Sequence, residues 1–471
     1  MDEAKKGNPL AEHALGLEYL LGQGFPADTA KAVYWINKAA STKLPPACFN
    51  MGLLYNYGIG VEWNPFNAYD FFKCAAKLGM PEAEYVFGVL HSSSLIVNRN
   101  LTETYKWVKL AAEQNYKPAL KTLKELRKMN IDFDKNASED KIDTTKKSSK
   151  SEYVLADENL VQSEYKLETF DFKEDSTFKS NSVENFKTYI KNDSTELKVK
   201  LGLILSDGKD SLKSEIDTLR GIKLIKQAAH SGSPEAMMLL GKAYELGAFF
   251  PKDTVKAYSE YLHAYKLGAL RAGGLLYSKA NSQKFFDKLK NEIDKKNPEA
   301  MYVWAGMAAL GFNFQITKEQ AFKILEKAAK LNHIPSMVEL GNAYFAGSQV
   351  SKDTAKAYQY WRKAAELGSA EAEIKINFSR LTNPAISQKE KHKSVKRLKT
   401  FANKGSVMAQ ALLGLCYEQG IGVKMDKAKA AEFYRMAAQR GSQSAYFSLK
   451  SMYDKIRPKD RPEFQIYESE L

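Results

Sequence analysis

Residues 11–24 read AEHALGLEYLLGQG, and residues 47–60 read ACFNMGLLYNYGIG. In both, alanine is followed by glycine five residues on, by tyrosine three later and by glycine three later again. Gly16 and Gly52 are 36 residues apart, Gly88 follows after another 36, and the same frame returns at Gly241, Ala305, Gly341, Asn377 and Gly414. A period of this length marks stacked helical repeats rather than a set of unrelated globular domains.

The second half of each unit is as regular. Small pairs stand at Ala39-Ala40, Ala75-Ala76, Ala111-Ala112, Ala328-Ala329, Ala364-Ala365 and Ala437-Ala438, preceded by runs such as KAVYWINKAA from Lys31 and KAYQYWRKAA from Lys356. Apolar residues recur three and four apart in both halves, the period of an amphipathic helix. Glycines at Gly79, Gly232, Gly268, Gly368, Gly405 and Gly441 suit left-handed helix C-termini, and Pro9, Pro81, Pro234 and Pro298 suit the first turn of the helix that follows. Each unit therefore reads as a helix–turn–helix hairpin. Glycine inside a helix costs about 1 kcal/mol relative to alanine, so Gly16, Gly52, Gly241, Gly341 and Gly414 need a packing reason. Close approach to Ala32, Ala68, Ala257, Ala357 and Ala430 of the second helix supplies one, with Tyr19, Tyr55, Tyr244, Tyr344 and Tyr417 filling the wider end of the wedge.

The pattern A-x-x-x-L-G-x-x-Y-x-x-G-x-G-V…D…K-A-x-x-W-x-x-K-A-A-x-x-G resembles the Sel-one-like repeat (SLR), a relative of the tetratricopeptide repeat. It is clearest from Ala11, Ala47, Ser336 and Ala409, weaker from Ala83, Ala236 and Ala300, and degenerate near Leu197, Ala269, Ala372 and Ala445. The resemblance implies an all-α, right-handed α/α superhelical solenoid of roughly ten to eleven repeats of about 36 residues. It also implies an adaptor, scaffold or regulator without chemistry of its own.

The 471 residues break register once. Residues 131–195 hold 10 Lys against 15 Asp and Glu, and KNASEDKIDTTKKSSKSE (135–152) is almost devoid of apolar side chains. The expected organisation is an N-terminal repeat module over 1–130, an acidic, partly disordered insertion over 131–185 and a C-terminal module over 186–471. The net charge of +14 divides into −5 over residues 131–195 and +19 over the rest, so it is spread over many helix faces. It does not argue for nucleic acid, which would ask for aromatics interleaved with the charge or a groove-reading helix. The run KEKHKSVKRLKTFANK (389–404) reads as the solvated face of a helix burying Val395, Leu398 and Phe401, and leaves room for peripheral contact with anionic lipid. No apolar run approaches the roughly 18 residues of a membrane span.

Chemistry finds little support. The G-x-G triplets at Gly22, Gly58 and Gly420 follow helices at repeat spacing, whereas a phosphate loop follows a strand. The six histidines are scattered without a ligand-spaced pair, so no metal, cofactor or catalytic residue is expected. The segment ACFNMGLLYNYG resembles a cysteine-rich Helicobacter subgroup of the family, in which a first-helix cysteine bridges to the second member of the small pair. Cys48 matches the first position, but Ala76 holds the second and Cys74 stands two residues earlier, about 200° round the helix. Free thiols are expected, with Cys416 in the core. That subgroup has also been linked to β-lactam binding, which would need S-x-x-K with S-D-N and K-T-G partners. S-x-x-K occurs at Ser176…Lys179 and Ser206…Lys209, and neither partner motif is present.

One row of residues suits partner binding. Two positions past the leading alanines stand His13, Phe49, Tyr85, Met238, Tyr302 and Val338, and one turn on come Leu17, Leu53, Val89, Lys242, Gly306 and Asn342. In relatives of this architecture first helices line the concave side, where such a ladder would hold an extended or helical segment of another protein. Packing between neighbouring repeats would use the same residues, and the sequence leaves both open. The expected function is a non-catalytic protein-binding scaffold. The alternative is a regulatory subunit of a membrane-associated enzyme or of a secretion or envelope system. Residues 2–7 resemble the tail of a second helix. As written the chain reads as cytoplasmic, and a signal peptide upstream would place it in the periplasm or outside. Lysine- and asparagine-rich usage with this architecture suggests a low-GC, host-associated bacterium. Nothing in the sequence sets the oligomeric state.

Overall fold

The computed structural model describes residues 1–127 and 215–466, apart from 231, 248, 313, 314 and 441. The expected insertion at 131–185, the repeat near Leu197 and both S-x-x-K tetrads lie outside the described residues. Among those described, the chain forms 22 α-helices and no strand. In chain order they are α1 (Asp2–Lys5), α2 (Pro9–Leu21), α3 (Thr29–Ser41), α4 (Pro45–Tyr57), α5 (Pro65–Lys77), α6 (Pro81–Leu90), α7 (Leu101–Glu113) and α8 (Lys117–Arg127). There follow α9 (Glu215–His230), α10 (Pro234–Leu246), α11 (Thr254–Lys266), α12 (Leu270–Tyr277), α13 (Gln283–Asp294), α14 (Pro298–Ala309) and α15 (Lys318–Lys330). The last are α16 (Ile334–Ala346), α17 (Thr354–Glu366), α18 (Ala370–Thr382), α19 (Gln388–Asn403), α20 (Val407–Gln419), α21 (Lys427–Ala438) and α22 (Gln443–Asp454). Consecutive helices pair as antiparallel hairpins, the α/α solenoid that the 36-residue register predicts.

The boundaries follow from local chemistry. Second helices open on a side chain that accepts backbone N–H bonds: Asp28, Asn64, Asn100, Asp253, Thr317, Asp353 and Ser387. Such a cap is typically worth about 1 kcal/mol. First helices carry proline in one of their first two positions in α2, α4, α6, α10, α14 and α16, where the missing N–H has no helical acceptor to lose. Gly58 ends α4 with φ of 62°, in the left-handed region that favours glycine. After several second helices the same conformation falls to Lys43, Asn115, Lys296 and Asn332, at φ of 60–63°.

The small residues act as the spacing implies. A β-carbon on Gly16 would lie 3.0 Å from the Ile36 amide nitrogen and 3.1 Å from the Ala32 carbonyl, and one on Gly241 would lie 3.1 Å from the Ala257 carbonyl. The helices of a hairpin therefore meet backbone to backbone. Three of the repeat tyrosines stack on an aromatic ring sixteen residues ahead, while Tyr19 and Tyr244 stack on Phe25 and Phe250, six ahead. Tyr55 lies 5.7 Å from Phe71, Tyr344 5.9 Å from Tyr360 and Tyr417 5.7 Å from Phe433, all within 15° of parallel. The repeat lysine covers the same ring from another side, with Lys31 5.3 Å from Tyr19 and Lys356 5.2 Å from Tyr344. Part of the positive charge counted in the sequence is thus held over tyrosine faces, at about 0.5–1 kcal/mol per exposed contact.

The chain divides into two compact units. One holds Met1–Lys173 with Lys427–Glu432 and Ser448–Leu471, and the other holds Glu174–Asp426 with Phe433–Phe447. Residues 448–466 therefore pack with the first repeats of the chain. In the second unit a continuous core runs from Ile225 to Ile376, with Tyr258, Tyr261, Tyr302 and Phe286 almost completely enclosed.

Candidate partner-binding site

Seven ladder residues lie beneath the surface: His13, Phe49, Leu53, Tyr85, Val89, Tyr302 and Val338 are none of them more than 6% exposed. Leu17 and Met238 are half-buried. Where polar atoms reveal their partners, the contact runs one repeat ahead. Asn50 Nδ2 donates to His13 Nε2 at 2.8 Å, and the Tyr85 hydroxyl stands 3.3 Å from Thr122 Oγ1. Phe49 rests on Phe72 of its own hairpin, with ring centres 5.5 Å apart. Of the second row, Lys242 is exposed, Asn342 half-buried, and Gly306 is closed over by Leu262 of α11. First helices stack so closely that a side chain pointing along the stack meets the next repeat before it meets solvent.

Burial holds the His13 imidazole down at about 4, and Asn50 donates to its bare nitrogen. A histidine whose folded pKa is depressed supports the fold above pH 6.5, and that support is lost as pH falls through 4. The melting temperature is therefore expected to drop between pH 6.5 and 4, and His13→Gln should flatten part of that drop in a thermal-melt series. An unchanged slope in the variant would remove His13 as the cause.

In the second unit α11 presents a polar face to the first helices of three later repeats. The Ser259 hydroxyl donates to Glu299 of α14, Lys266 Nζ lies 2.9 Å from Glu339 of α16, and His263 Nε2 lies 2.9 Å from Glu371 of α18. Glu299 and Glu371 occupy the same repeat position two units apart, which is why one helix can reach both. Burial disfavours the Glu371 carboxylate, but Lys375 and His263 outweigh it and hold the group at about 2. Burial likewise opposes charge on His263, and Glu371 with Glu260 reverses the balance and raises it. Glu260, with less compensation, is pushed by burial up to about 7. Glu299, Glu339 and Glu371 each face a base or hydroxyl of the same chain, so those charges are spent on holding α11 across the stack.

Cys48 and Cys74 are free, as is Cys416. The turn of α5 brings Cys74 back towards α4, so the two sulfurs stand 2.6 Å apart although Cys74 is off the position of Ala76. Hydrogen bonding from Cys48 and the nearby Lys43 ammonium together outweigh burial and lower Cys74 to about 7, while the same bond and burial push Cys48 up. Thiolate is the alkylated form. Iodoacetamide at pH 7.5 should therefore modify half-buried Cys74 at least about tenfold faster than Cys48 or Cys416, read by peptide mass spectrometry. Equal rates would contradict the assignment.

The first unit holds a segment of its own chain as a solenoid would hold a ligand. α6 stops at Leu90 after 10 residues, three short of α2 and α4, and Ser94-Leu95-Ile96 stands where α4 is followed by Gly58-Ile59-Gly60. The carbonyls of Leu95 and Ile96 accept from the Arg457 guanidinium at 2.5 and 2.8 Å. Phe464, completely buried, lies edge-on between Phe66 and Tyr69, with ring centres 4.9 and 5.5 Å away. Arg461 binds Asp70 of α5 through both terminal nitrogens, at 2.5 and 2.9 Å, and also reaches Glu463. Asn98 Nδ2 closes the contact on the Gln465 carbonyl at 3.0 Å. Sequence reasoning did not find this site. The available signal was the lost G-x-G turn between α6 and α7.

On α19, Val395 and Leu398 are buried, while Lys389, His392, Lys393 and Lys396 are exposed. Arg397 is spent on Glu373 and on the Phe401 ring. Among the described residues no group of three or more His, Cys, Asp or Glu is placed to hold a metal, and no helix is long and apolar enough to cross a membrane.

Comparison with known proteins follows the repeat boundaries. A profile of the Sel1 repeat matches residues 9–41, 45–80, 81–116, 198–233, 234–259, 298–333, 334–369 and 407–442, more than half of the chain. Chitin synthase regulatory factor 3 of Schizosaccharomyces pombe is 25% identical over 241 residues, 48% of this chain and 26% of that protein. The chitin synthase regulator SKT5 of Saccharomyces cerevisiae is 25% identical over 269 residues, 53% of this chain and 38% of that protein. Mouse protein sel-1 homolog 2 is 24% identical over 178 residues, 38% of this chain and 25% of that protein. The chain thus spans between a quarter and two fifths of the length of these relatives. Among solved structures, a protective antigen of uropathogenic Escherichia coli displaying an SLR fold aligns over 97% of this chain and 82% of its own, at 22% identity and a TM-score of 0.30.

Proposed function

The chain belongs to the Sel1 repeat family, whose members generally act as protein-interaction adaptors, and from that premise we propose that it is a non-catalytic scaffold binding a segment of a partner protein along its stacked repeats. The observation that carries this reading is the chain's own segment 455–466, held on α5 and the 91–100 loop by one buried ring, one two-pronged ion pair and two backbone carbonyls. A rigid solenoid presents such groups in place and spends little ordering entropy on binding. Within the ladder, Leu17 and Met238 are the residues with surface left for a partner, and the seven buried ones form the wall behind them. Leu17 is flanked on α2 by Leu10 and Leu21, each more than half exposed.

The test is affinity enrichment of the full chain from its own cells, compared with a Leu17→Glu/Leu21→Glu variant of unchanged helical content. A discrete protein captured by the parent and lost by the variant is expected. The same set retained by both would remove Leu17, and no enrichment beside turnover of a hydrolase probe would overturn the scaffold. Phe49, Tyr85 and Tyr302 are unsuitable for this purpose, because truncating a buried ring costs about 3–5 kcal/mol of fold.

The names of the two yeast relatives favour a second reading, a regulatory subunit of a membrane-associated enzyme. The exposed lysines of α19 would then face anionic lipid, and reversing Lys389, Lys393 and Lys396 to Glu should abolish co-sedimentation with phosphatidylglycerol vesicles. Absence of co-sedimentation by the parent would remove this reading.

A further inference from the structure

We propose that the face formed by α5 and the 91–100 loop is a short-motif binding site for an extended segment of the form Arg-Pro-x-x-Arg-Pro-x-Phe, kept shut by the chain's own copy at Arg457–Phe464. This deepens the scaffold reading and rests on it, by naming the partner's chemistry and the device that controls access.

Three features distinguish the arrangement from an ordinary end cap. The site is made where the repeat departs from its own pattern. Shortening α6 and replacing the glycine turn by Ser94-Leu95-Ile96 frees two carbonyls that no helix satisfies, and an arginine reads both. The contacts are those of linear-motif recognition: a ring in an aromatic pocket, a forked guanidinium–carboxylate pair and backbone groups that fix the direction of the chain. Finally, the ion pair is not sealed in. The side chains of Arg461 and Asp70 are 34% and 36% exposed, so one segment can replace another without stranding a buried charge.

The occupying segment is irregular apart from a single 3₁₀ turn at Pro462–Phe464, and Arg461 lies 391 residues from Asp70 along the chain. The segment follows α22 directly, and Tyr453 of that helix packs edge-on against Trp63 and Phe66, so the segment is delivered to the site by its own unit and pays little of the ordering cost that a free segment pays. A free segment then binds only the fraction of molecules whose own copy has left the site, and its apparent affinity falls by that fraction. Access to the site is set by whatever weakens the grip of Arg457, Arg461 or Phe464.

Fluorescence anisotropy of a labelled peptide, DKIRPKDRPEFQI (residues 454–466), tests the proposal on the full chain. The parent should bind weakly, while Arg461→Ala/Phe464→Ala should bind at least about tenfold more tightly because the pocket is vacated. Adding Asp70→Arg should weaken that binding at least about tenfold, and a peptide with aspartate at the position of Arg461 should recover it. Arg461→Ala alone repeats the measurement should the double variant lose its cooperative melt. Equal affinity of parent and opened variants would overturn the gate, and no binding by a folded opened variant would overturn the site. If cellular partners are still enriched in that case, only the motif fails and the scaffold stands. If the peptide binds but no partner is ever enriched, the reverse holds.

Discussion

Replacing Glu371 by alanine is expected to cost the second unit about 2–4 kcal/mol, just below the range for breaking a fully buried pair, because its side chain keeps 14% of its surface. The loss leaves His263 without the acceptor 2.9 Å away and Lys375 without the carboxylate at 3.5 Å, in a seam where other acids are already engaged. The pH dependence identifies the cause. Glu371 has a folded pKa of about 2, depressed from 4.5, so its contribution is complete above pH 4.5 and is lost as pH falls towards 2. His263 is raised above 6.5, so its contribution is complete below 6.5 and is lost as pH climbs through the folded value. The gap between parent and variant in urea unfolding should therefore be widest between pH 4.5 and 6.5 and shrink on both sides. A gap independent of pH would mean that α11 is held by packing alone. Glu371→Gln, which keeps the shape, should recover only part of the loss.

Gly341→Val should be nearly as damaging for a different reason. A β-carbon there would overlap the indole of Trp361, itself 3% exposed and bonded through Nε1 to the Val338 carbonyl at 3.3 Å. The ring cannot turn aside without breaking that bond, and overpacking of this kind typically costs about 1–3 kcal/mol. The control is Gly274→Ala. Nothing lies within 4 Å of a β-carbon there, so the helix should gain up to about 1 kcal/mol from restored propensity. Melting temperatures moving in opposite directions are the expected result. A neutral Gly341→Val would show that the two helices can part, and would remove the packing reason for glycine in the repeat.

Much of this molecule is legible in its amino-acid order alone, because a repeat states its constraints many times. The spacing of Gly16, Ala32 and Tyr19 gives helix lengths, caps and the face on which helices of a hairpin meet, since those depend on contacts within some 36 residues. The binding ladder is less legible. Periodicity shows that Phe49 and Tyr85 share a face with His13, but whether that face is open depends on how closely the next repeat stacks. Tyr85 reaching Thr122 decides it for that residue. A count of helical degrees likewise sets Cys74 off the position of Ala76, yet its sulfur stands 2.6 Å from that of Cys48.

The sequence by itself determined the architecture, because 36-residue periodicity and small-residue spacing are local properties that stacking merely repeats. Only the tertiary structure decided which charges pair across three repeats and what fills the site on α5 and the 91–100 loop. His263 lies 108 residues from Glu371, and Arg461 lies 391 from Asp70. No pattern in one repeat encodes such meetings, since each joins side chains that stand in different repeats.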